Sequence, residues 1–422
     1  MSKRVFVVGE GAREHALCWA LSRSSHVSDV HCAPGNGGTS GVAANVPIGV
    51  TDIASLTSYA AGGSFDLVVV GPEIPLSLGL ADSLRSHGLL TYGPSKAAAR
   101  IESSKQFAKE VMRDAGVPTA DSRSFDDFDA ACDYLRSLSV PPVVKADGLA
   151  AGKGVTVPET YEEGIAALRA TMVEQAFGDS GSVVVIEERL SGQEVSITAV
   201  SDGRRFALMA PSCDYKRAFD DEKGPNTGGI GIYAPTKAIG STDMESIGDR
   251  IIAPTLGRLA ELGSPFVGTL YAGLMLTDAG PMVIEFNCRF GDPESQVVLP
   301  MASVDLYELL VAAASGELDA GGGTLSKSGH AVGVVLASGG YPQAYETGHP
   351  INGLDRLEPD TLVFHAGTRR DGEHLVTDGG RVMTIVRCED TLRTAREKVY
   401  DQVERVEFKN MHYRRDIARR EL

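Results

Sequence analysis

Short apolar segments alternate with helical patterns in the N-terminal part of the chain. Residues 5–8, 27–33 and 65–70 are predicted strands, and residues 14–22 are a predicted helix. Apolar strands that alternate with helices are typical of a parallel, doubly wound sheet. We therefore expect an α/β domain of this kind over residues 1–103.

The pattern changes near residue 104. A helix there is followed by predicted strands over residues 143–147 and 183–188, with a glycine-rich hairpin between them. This order predicts an α+β unit over residues 104–324.

A third unit is predicted at the end of the chain. Residues 330–338, 362–366 and 381–386 are predicted strands, and residues 391–403 are a predicted helix. Few polar groups converge there, so we expect a small α+β domain over residues 325–422 with a mainly structural role.

Composition and charge narrow the class of protein. The 422 residues are too many for one compact core, and 48 of them are glycine. A formal net charge of −16 argues against a nucleic-acid or anionic-membrane partner. The six cysteines form no CxxC pair, which fits a reducing compartment. The chain has no long apolar run, and its first strand begins almost at once. We therefore expect a cytoplasmic protein with no membrane span and no signal peptide.

A metal site is predicted where one apolar strand ends. Glu285 and Asn287 are two residues apart, so on a strand both side chains lie on one face. A carboxylate and an amide oxygen are ligands that suit Mg²⁺. Arg289, which follows, is a planar donor suited to a phosphate or carboxylate. Taken alone, this motif fits a solvated ion-pair loop better, and only the other motifs reverse that balance.

The glycine-rich segment 148–155 is similar to a P-loop but differs in spacing. Gly148 and Gly152 enclose three residues, and Lys153 is followed by glycine instead of Ser or Thr. We interpret the segment as a hairpin whose N–H groups and lysine fold over a triphosphate. Lys145, inside an apolar strand, needs an anionic partner, which a nucleotide phosphate would supply. A mobile hairpin and a salt-bridged lysine are the structural alternatives.

Three N-terminal loops, at residues 9–14, 34–39 and 71–73, lie where ligands bind in doubly wound sheets. The first is an incomplete dinucleotide fingerprint, because Glu14 stands in place of the third glycine. A glycine turn before a helix N-terminus, with Arg13 beside it, suits a single phosphate. We therefore predict a sugar-phosphate site and not a nicotinamide site.

Together these features resemble the ATP-grasp superfamily, in which two α+β units hold ATP between them. Longer motifs resemble one family within it, phosphoribosylamine–glycine ligase (glycinamide ribonucleotide synthetase), from the first strand to residue 368. The segments that carry this resemblance are 13–17, 34–36, 145–155, 224–230, 270–274 and 285–294. The resemblance implies a multidomain α/β and α+β fold with an N-terminal parallel sheet, a two-lobed ATP-grasp core and a small C-terminal domain. It also implies that the ATP-grasp core contains a lid subdomain at about residues 120–193.

The resemblance also implies an activity in purine biosynthesis. Glycine and 5-phosphoribosylamine would be joined to give glycinamide ribonucleotide, with ATP converted to ADP and phosphate through a glycyl phosphate intermediate. Two alternatives stay open: another ATP-grasp carboxylate–amine ligase, and a non-catalytic nucleotide-binding sensor. No sequence feature sets the oligomeric state, and we expect a monomer or a weak homodimer.

The same resemblance assigns the site residues. The ATP-binding set is Lys105, Lys145, Gly152, Lys153, Glu187, Glu188, Leu190 and Glu194. The ligands of Mg²⁺ or Mn²⁺ are Glu285 and Asn287. The substrate-binding set is Gly11, Arg13, Glu14, Asn36, Thr39, Glu73, Asp214, Lys216, Arg217, Asn226 and Arg289. The catalytic set is Lys153, Arg289 and Asp214.

The chain departs from the usual family pattern at a few positions. Glu10 and Ala12 replace Asn and Gly, Tyr215 replaces His, and Ile230 replaces Met. These changes bear on single substrate contacts and leave the lysines, the metal pair and Arg289 in place.

Overall fold

The computed structural model describes residues 2–150, 154–319 and 324–422. Its N-terminal part consists of β1 (Lys3–Gly9), α1 (Ala12–Ser22), β2 (Val27–Pro34), β3 (Ala44–Asn45), α2 (Ile53–Gly62), β4 (Leu67–Val70), α3 (Glu73–Leu78), α4 (Leu80–Ser86), β5 (Thr91–Tyr92) and α5 (Lys96–Ser103). The strands form a parallel sheet in the order β3-β2-β1-β4-β5. The central strand β1 is buried along its apolar residues, as expected of a covered parallel strand. The predicted parallel α/β domain is confirmed.

The next part is a small layer with a core of its own. It consists of α6 (Lys105–Ala115), β6 (Ser122–Phe125), α7 (Phe128–Ser137), β7 (Val143–Ala146), β8 (Val155–Thr156), α8 (Tyr161–Leu168) and β9 (Val184–Glu187). The strands pair antiparallel in the order β6-β9-β7-β8. Apolar side chains of α7, α8 and the sheet form a separate cluster around Leu135 and Leu168. Because β7 and β8 pair antiparallel, the segment between them connects the strands of a hairpin, as predicted.

A second, larger lobe follows. Its elements are β10 (Gln193–Asp202), β11 (Phe206–Met209), β12 (Cys213–Asp214), β13 (Arg217–Phe219), β14 (Lys223–Asn226), β15 (Gly231–Ala234), α9 (Ser241–Ile247), α10 (Ala253–Glu261), β16 (Val267–Thr277), β17 (Gly280–Asn287), α11 (Ser295–Val298), α12 (Leu306–Ser315) and β18 (Thr324–Leu325). Its main sheet has the order β17-β16-β10-β11-β18. The register of β16 and β17 shifts between Gly273 and Leu274, so β17 has a bulge at Ile284, directly before Glu285. Bulges often occur next to active sites, where they redirect a side chain or a carbonyl.

The last part contains β19 (His330–Ala337), β20 (Leu362–His365), β21 (Thr368–Asp371), β22 (His374–Thr377), β23 (Arg381–Glu389) and α13 (Leu392–Val403). The sheet has the order β12-β15-β19-β23-β20. It therefore takes two strands from the predicted 104–324 unit, and one of them carries Asp214. The C-terminal strands are hydrogen-bonded, through β15, to the strand that bears a predicted catalytic residue. No helix of the described residues is long and apolar enough to cross a membrane.

Candidate active site

Lys145 is buried on β7 and faces the end of β17 across the cleft between the two lobes. Its Nζ lies 2.9 Å from Glu187 Oε2 and donates to Ile284 O at 3.0 Å. Ile284 is the bulged residue of β17 and has no register partner on β16, so its carbonyl accepts from Lys145 instead. The buried lysine therefore has an anionic partner, as predicted. In this structure that partner is the carboxylate of Glu187, whereas the prediction was a nucleotide phosphate.

Glu187 also binds a second lysine, which the sequence analysis did not assign to the site. Lys109 Nζ lies 3.3 Å from Glu187 Oε1 and donates to Thr119 Oγ1 at 2.8 Å. Burial, together with the nearby Lys145, lowers the pKa of Lys109 to about 8 against the opposing effect of Glu187. Lys109 follows Lys105 by one helical turn on α6, and this spacing is the sequence feature that could have placed Lys109 at the site. The Glu187 carboxylate thus sits between two ammonium groups, and its predicted contact with adenine stays a prediction.

The start of α6 is joined to the base of the glycine hairpin. Ser104 caps the helix by accepting from Phe107 N at 3.1 Å, and its hydroxyl donates to Asp147 Oδ2 at 3.1 Å. Lys105 Nζ donates to Gly148 O at 3.2 Å. Burial lowers the pKa of Lys105, and Glu285 opposes this shift. Lys105 and Lys145 therefore converge on one cleft, while Gly152 and Lys153 lie outside the described residues.

The loop between β9 and β10 contains the remaining ATP-binding predictions. Glu188 and Leu190 follow β9 directly, and the Glu188 N–H donates to Asp121 O at 2.9 Å. Glu194, near the start of β10, accepts from Lys216 Nζ at 3.0 Å. The Glu194 carboxylate is partly exposed, so a ribose could reach it.

Glu285 and Asn287 lie on one face of β17, since residues 285–287 keep a regular register with β16. Burial alone would raise the pKa of Glu285, but Lys216, Lys145, Lys105 and Arg289 hold it below its usual value. Glu285 is therefore ionised at neutral pH, as a metal ligand must be.

The donor set at the end of β17 fits a hard divalent cation. It consists of one carboxylate and one amide oxygen, and Mg²⁺ commonly uses one or two protein ligands. Within residues 2–150, 154–319 and 324–422, no cluster of three or more His, Cys, Asp or Glu side chains is arranged to hold a metal ion. A cation at Glu285 and Asn287 would therefore complete its shell with water and phosphate oxygens.

Arg289 is held in place by acidic side chains of the N-terminal part. Its Nη2 lies 2.9 Å from Glu102 Oε1, and its Nε lies 3.2 Å from Glu73 Oε2. Glu73 also lies 3.9 Å from Arg13 Nη1. Burial would raise the pKa of Glu73, but Arg289 and Arg13 lower it to about 2. These contacts connect Arg13 and Glu73, which belong to the predicted sugar-phosphate loops, with Arg289 at the end of β17.

Several predicted sugar-phosphate residues shape their loops instead of pointing freely into the cleft. Glu14 is buried and accepts from the Gly11 N–H at 2.7 Å, and an added Cβ at Gly9 or Gly71 would collide with its side chain. Asn36 Nδ2 donates to Glu10 O at 2.8 Å and to His365 O at 2.7 Å. The Gly11 and Asn36 N–H groups are thus also used inside their loops, and the predicted contact of these loops with a sugar phosphate stays a prediction.

Thr39 has the same kind of structural role. Its hydroxyl is buried and donates to Asn45 Oδ1 at 2.7 Å. It also accepts from the Asn36 N–H at 2.7 Å, which closes the turn.

Asp214 and Lys216 belong to a cluster of acidic groups around one ammonium. Burial, reinforced by Glu294, Glu194 and Glu285, raises the pKa of Asp214 to about 7, and Lys216 opposes the shift. Burial would lower the pKa of Lys216, but the surrounding carboxylates hold it well above its usual value. Such a pocket suits a small ligand that carries an ammonium group.

Arg217 and Asn226 lie farther out, opposite each other on the hairpin formed by β13 and β14. The Arg217 guanidinium donates back to Gly224 O at 2.9 Å, within the same hairpin. Their predicted contact with substrate stays a prediction.

Three family models match consecutive parts of this chain. They are the N domain, the ATP-grasp (A) domain and the C domain of phosphoribosylglycinamide synthetase, at residues 3–102, 103–295 and 331–420. The chain belongs to the phosphoribosylglycinamide synthetase family. This membership confirms the ATP-grasp fold and the family resemblance of the sequence motifs.

Curated relatives of this synthetase family align with nearly the whole of this chain. The phosphoribosylamine–glycine ligase of Halalkalibacterium halodurans is 46% identical, over 98% of this chain and 96% of that protein. The ligase of Chlorobaculum tepidum is 44% identical, over 99% of this chain and 100% of that protein. In Gallus gallus, a trifunctional purine biosynthetic protein is 44% identical over 100% of this chain, which spans 42% of that protein.

Solved structures give the same picture of the synthetase fold. The phosphoribosylamine–glycine ligase of Thermotoga maritima has a TM-score of 0.87 at 34% identity, over 98% of this chain and 100% of that one. A biotin carboxylase domain from Hydrogenobacter thermophilus, solved with MgADP, has a TM-score of 0.75 at 15% identity, over 98% of this chain and 92% of that one. The second likeness shows the shared fold alone.

Proposed function

We infer that this chain joins glycine to 5-phosphoribosylamine to give glycinamide ribonucleotide, with ATP converted to ADP and phosphate, as a step of purine biosynthesis. The observation that carries this function is the match of all three synthetase domains along one chain. The protein is an ATP-dependent carbon–nitrogen ligase.

The reaction needs activation of a carboxylate, because oxide is a poor leaving group. Transfer of the γ-phosphoryl group of ATP to glycine gives glycyl phosphate, whose phosphate leaves when the amine attacks the carbonyl carbon. Such phosphoryl transfer depends mainly on positioning and charge neutralisation.

Residues of the cleft supply that positioning. Lys105 and Lys145, which converge there, are proposed to bind the ATP phosphates, with Gly152 and Lys153 of the hairpin closing over them to exclude water. Adenine and ribose are assigned to the loop that contains Glu188 and Leu190 and to Glu194. Mg²⁺, or Mn²⁺ in its place, would be held by Glu285 and Asn287 and would neutralise charge on the phosphates.

Glycine is assigned to the acidic cluster at Asp214. The ammonium of glycine is complementary to the carboxylates of Asp214 and Glu294, which lie near each other. Arg289, held by Glu73 and Glu102, would face the carboxylate or the acyl phosphate. The sugar phosphate is assigned to the cleft beside the Gly11 and Asn36 loops, where the N-terminal turn of α1 and Arg13 would face the phosphate and Glu73 lies beside them.

The direct test is ADP release by purified protein with ATP, Mg²⁺ and glycine, with and without 5-phosphoribosylamine generated in the assay. Turnover that needs both co-substrates is expected. Turnover with a different acid or amine would support another ligase of the superfamily, and ATP binding without turnover would support a nucleotide sensor. Replacing Mg²⁺ with Mn²⁺ in the same assay identifies the preferred cation.

The remaining properties proposed are those of a small metabolic enzyme. We propose a cytoplasmic monomer or weak homodimer with no nucleic-acid partner, on the basis of its net charge of −16. Light scattering across a range of protein concentrations would measure the oligomeric state.

A further inference from the structure

The end of the chain packs against a segment that carries two proposed glycine-site residues. Residues 412–421 are called the C-terminal tail here, and residues 213–226 the substrate segment. His412 Nε2 lies 2.7 Å from Ala218 O, and the Arg415 N–H donates to Asp220 Oδ1 at 2.8 Å. In the other direction, the Asp221 N–H donates to Asp416 Oδ2 at 3.0 Å. The tail thus contacts the substrate segment at several successive positions.

Arg414 is the centre of this contact. Its side chain is fully buried, and its Nη1 donates to Arg217 O at 3.0 Å. Its Nη2 lies 2.9 Å from Glu222 Oε1 and 2.7 Å from Asp416 Oδ2, while its Nε donates to Asp416 Oδ1 at 2.8 Å. A planar guanidinium with a two-point contact to one carboxylate has a fixed orientation, which a lysine would lack. Arg414 therefore couples the tail to β13 and to the turn that precedes β14.

Tyr215 shows which side of the substrate segment the tail occupies. Its buried ring lies under two guanidinium groups, 4.6 Å from Arg414 and 4.5 Å from Arg420. Asp214 and Lys216, on either side of it in sequence, instead face Glu194 and Glu285. Alternation along an extended segment accounts for this, because neighbouring side chains point to opposite sides. Tyr215, which stands where the family usually has His, therefore contacts the tail on the side opposite Asp214 and Lys216.

The substrate segment has little regular structure to hold it. Strand β12 has two residues, and the β13–β14 pair is a short, irregular ladder. Functional residues are most precise when rigid neighbours hold them. Direct contacts with β10, such as the Lys216–Glu194 pair, the pairing of β12 with β15 and the contacts with the tail together hold this segment in place.

We propose that the C-terminal tail, through Arg414 and Asp416, is a positioning element for the glycine side of the active site. It holds the substrate segment so that Asp214 and Lys216 keep their places beside Glu194, Glu285 and Glu294. The proposal rests on the proposed function, because it assigns these two residues to glycine. Arg414 itself touches no reacting atom.

The test measures glycine and ATP separately in the full-length Arg414→Met and Arg414→Lys variants. Arg415→Met is the matched control, because that neighbouring side chain is exposed and lies over Tyr413. We expect the KM for glycine to rise about tenfold in Arg414→Met, since small displacements at a reaction site cost up to ~10²-fold. Arg414→Lys should recover part of this loss. The Kd of a non-hydrolysable ATP analogue, measured by calorimetry, should stay within about twofold in all three variants.

A purely structural role predicts a different result. Loss of folded protein would lower the apparent kcat and leave the KM for glycine unchanged, and this outcome would overturn the proposal. Equal losses for glycine and ATP would overturn it as well. If the Arg414 variants do not fold, Glu222→Ala weakens the same contact, because Glu222 is exposed and its loss removes the pairing of Arg414 with the turn before β14, and a smaller rise in the KM for glycine is then expected. Absence of glycine-dependent turnover in the unaltered protein would reject the proposed function instead.

Discussion

Lys145 and Arg289 are buried cations that both have carboxylate partners in the protein itself. Lys145 is paired with Glu187, and Arg289 with Glu73 and Glu102. A buried charge without a partner is costly, so these carboxylates make the cationic cleft stable in the absence of phosphate. On the proposed assignment of Lys145 to the ATP phosphates, this lysine would divide its interactions between the phosphates and Glu187, and Lys109 would influence that division.

The ATP affinity is expected to depend on the charge of Lys109. Burial lowers the pKa of Lys109 to about 8, so its ammonium loses a proton as the pH rises through this value. Glu187 is then paired with Lys145 alone. Glu187 then competes more strongly with phosphate, so the KM for ATP should rise about fivefold, within the usual range for coupled charges. Lys109→Met should show the higher KM already at pH 7 and lose the pH dependence. A pH dependence unchanged in that variant would assign it to another group.

Glu285 is expected to control the use of the divalent cation. Its carboxylate is ionised by the surrounding cations, and Glu285→Gln keeps the shape but removes the charge. The variant should need more Mg²⁺ for half-maximal ADP release and lose about 10²-fold in kcat, typical of a lost electrostatic contact to the transition state. Titration of Mg²⁺ at saturating ATP measures both. Unaltered Mg²⁺ dependence would place the cation elsewhere.

Among the elements, helix α6 and the hairpin base form one unit, because Ser104 both caps the helix and donates to Asp147.

The positions of strands and helices followed from hydrophobic periodicity, and the predicted segments match β1, β2, β7, β9 and β19 closely. Partners such as Glu102 and Arg414 could not be predicted, because no local pattern indicates which distant side chain meets which.

The effect of the Ser104–Asp147 contact on ATP binding can be measured separately from the effect of helix capping on stability. Ser104→Ala and Ser95→Ala each remove an N-cap, the second from α5, where Ser95 Oγ accepts from Ala98 N. Each should lower the free energy of unfolding by about 1 kcal/mol. Only Ser104→Ala should also raise the KM for ATP, because only Ser104 contacts Asp147. An equal KM for the two variants would show that the link has no effect on nucleotide binding.

The molecule as a whole is joined by contacts that cross the predicted domain boundaries. The C-terminal sheet includes β12 and β15, and Arg381 of β23 donates to Gly228 O and pairs with Asp292 at 3.0 Å. At the other end, the His365 N–H donates to His15 Nδ1 at 2.9 Å and so joins β20 to α1. The C-terminal part, predicted to be mainly structural, thus completes the surroundings of the site.

The two histidines at this junction should make the fold sensitive to mild acid. Burial lowers the pKa of His15 to about 3 and that of His365 to about 4, from an ordinary value of 6.5. Between pH 6.5 and these values the unfolded chain binds more protons, so stability falls as pH falls. Each histidine should account for about 2 kcal/mol between pH 7 and pH 5. Denaturant unfolding of His15→Gln should show a shallower pH dependence than the unaltered protein, and an identical slope would contradict this account.

The central claim is that ATP phosphorylates the carboxylate of glycine before the amine attacks. Glycine labelled with ¹⁸O in its carboxylate tests this directly, with mass spectrometry of the inorganic phosphate released in the complete reaction. Because the bond between the carbonyl carbon and the bridging oxygen breaks when phosphate leaves, each phosphate should carry one ¹⁸O atom. Phosphate without label, formed together with glycinamide ribonucleotide, would contradict the glycyl phosphate route.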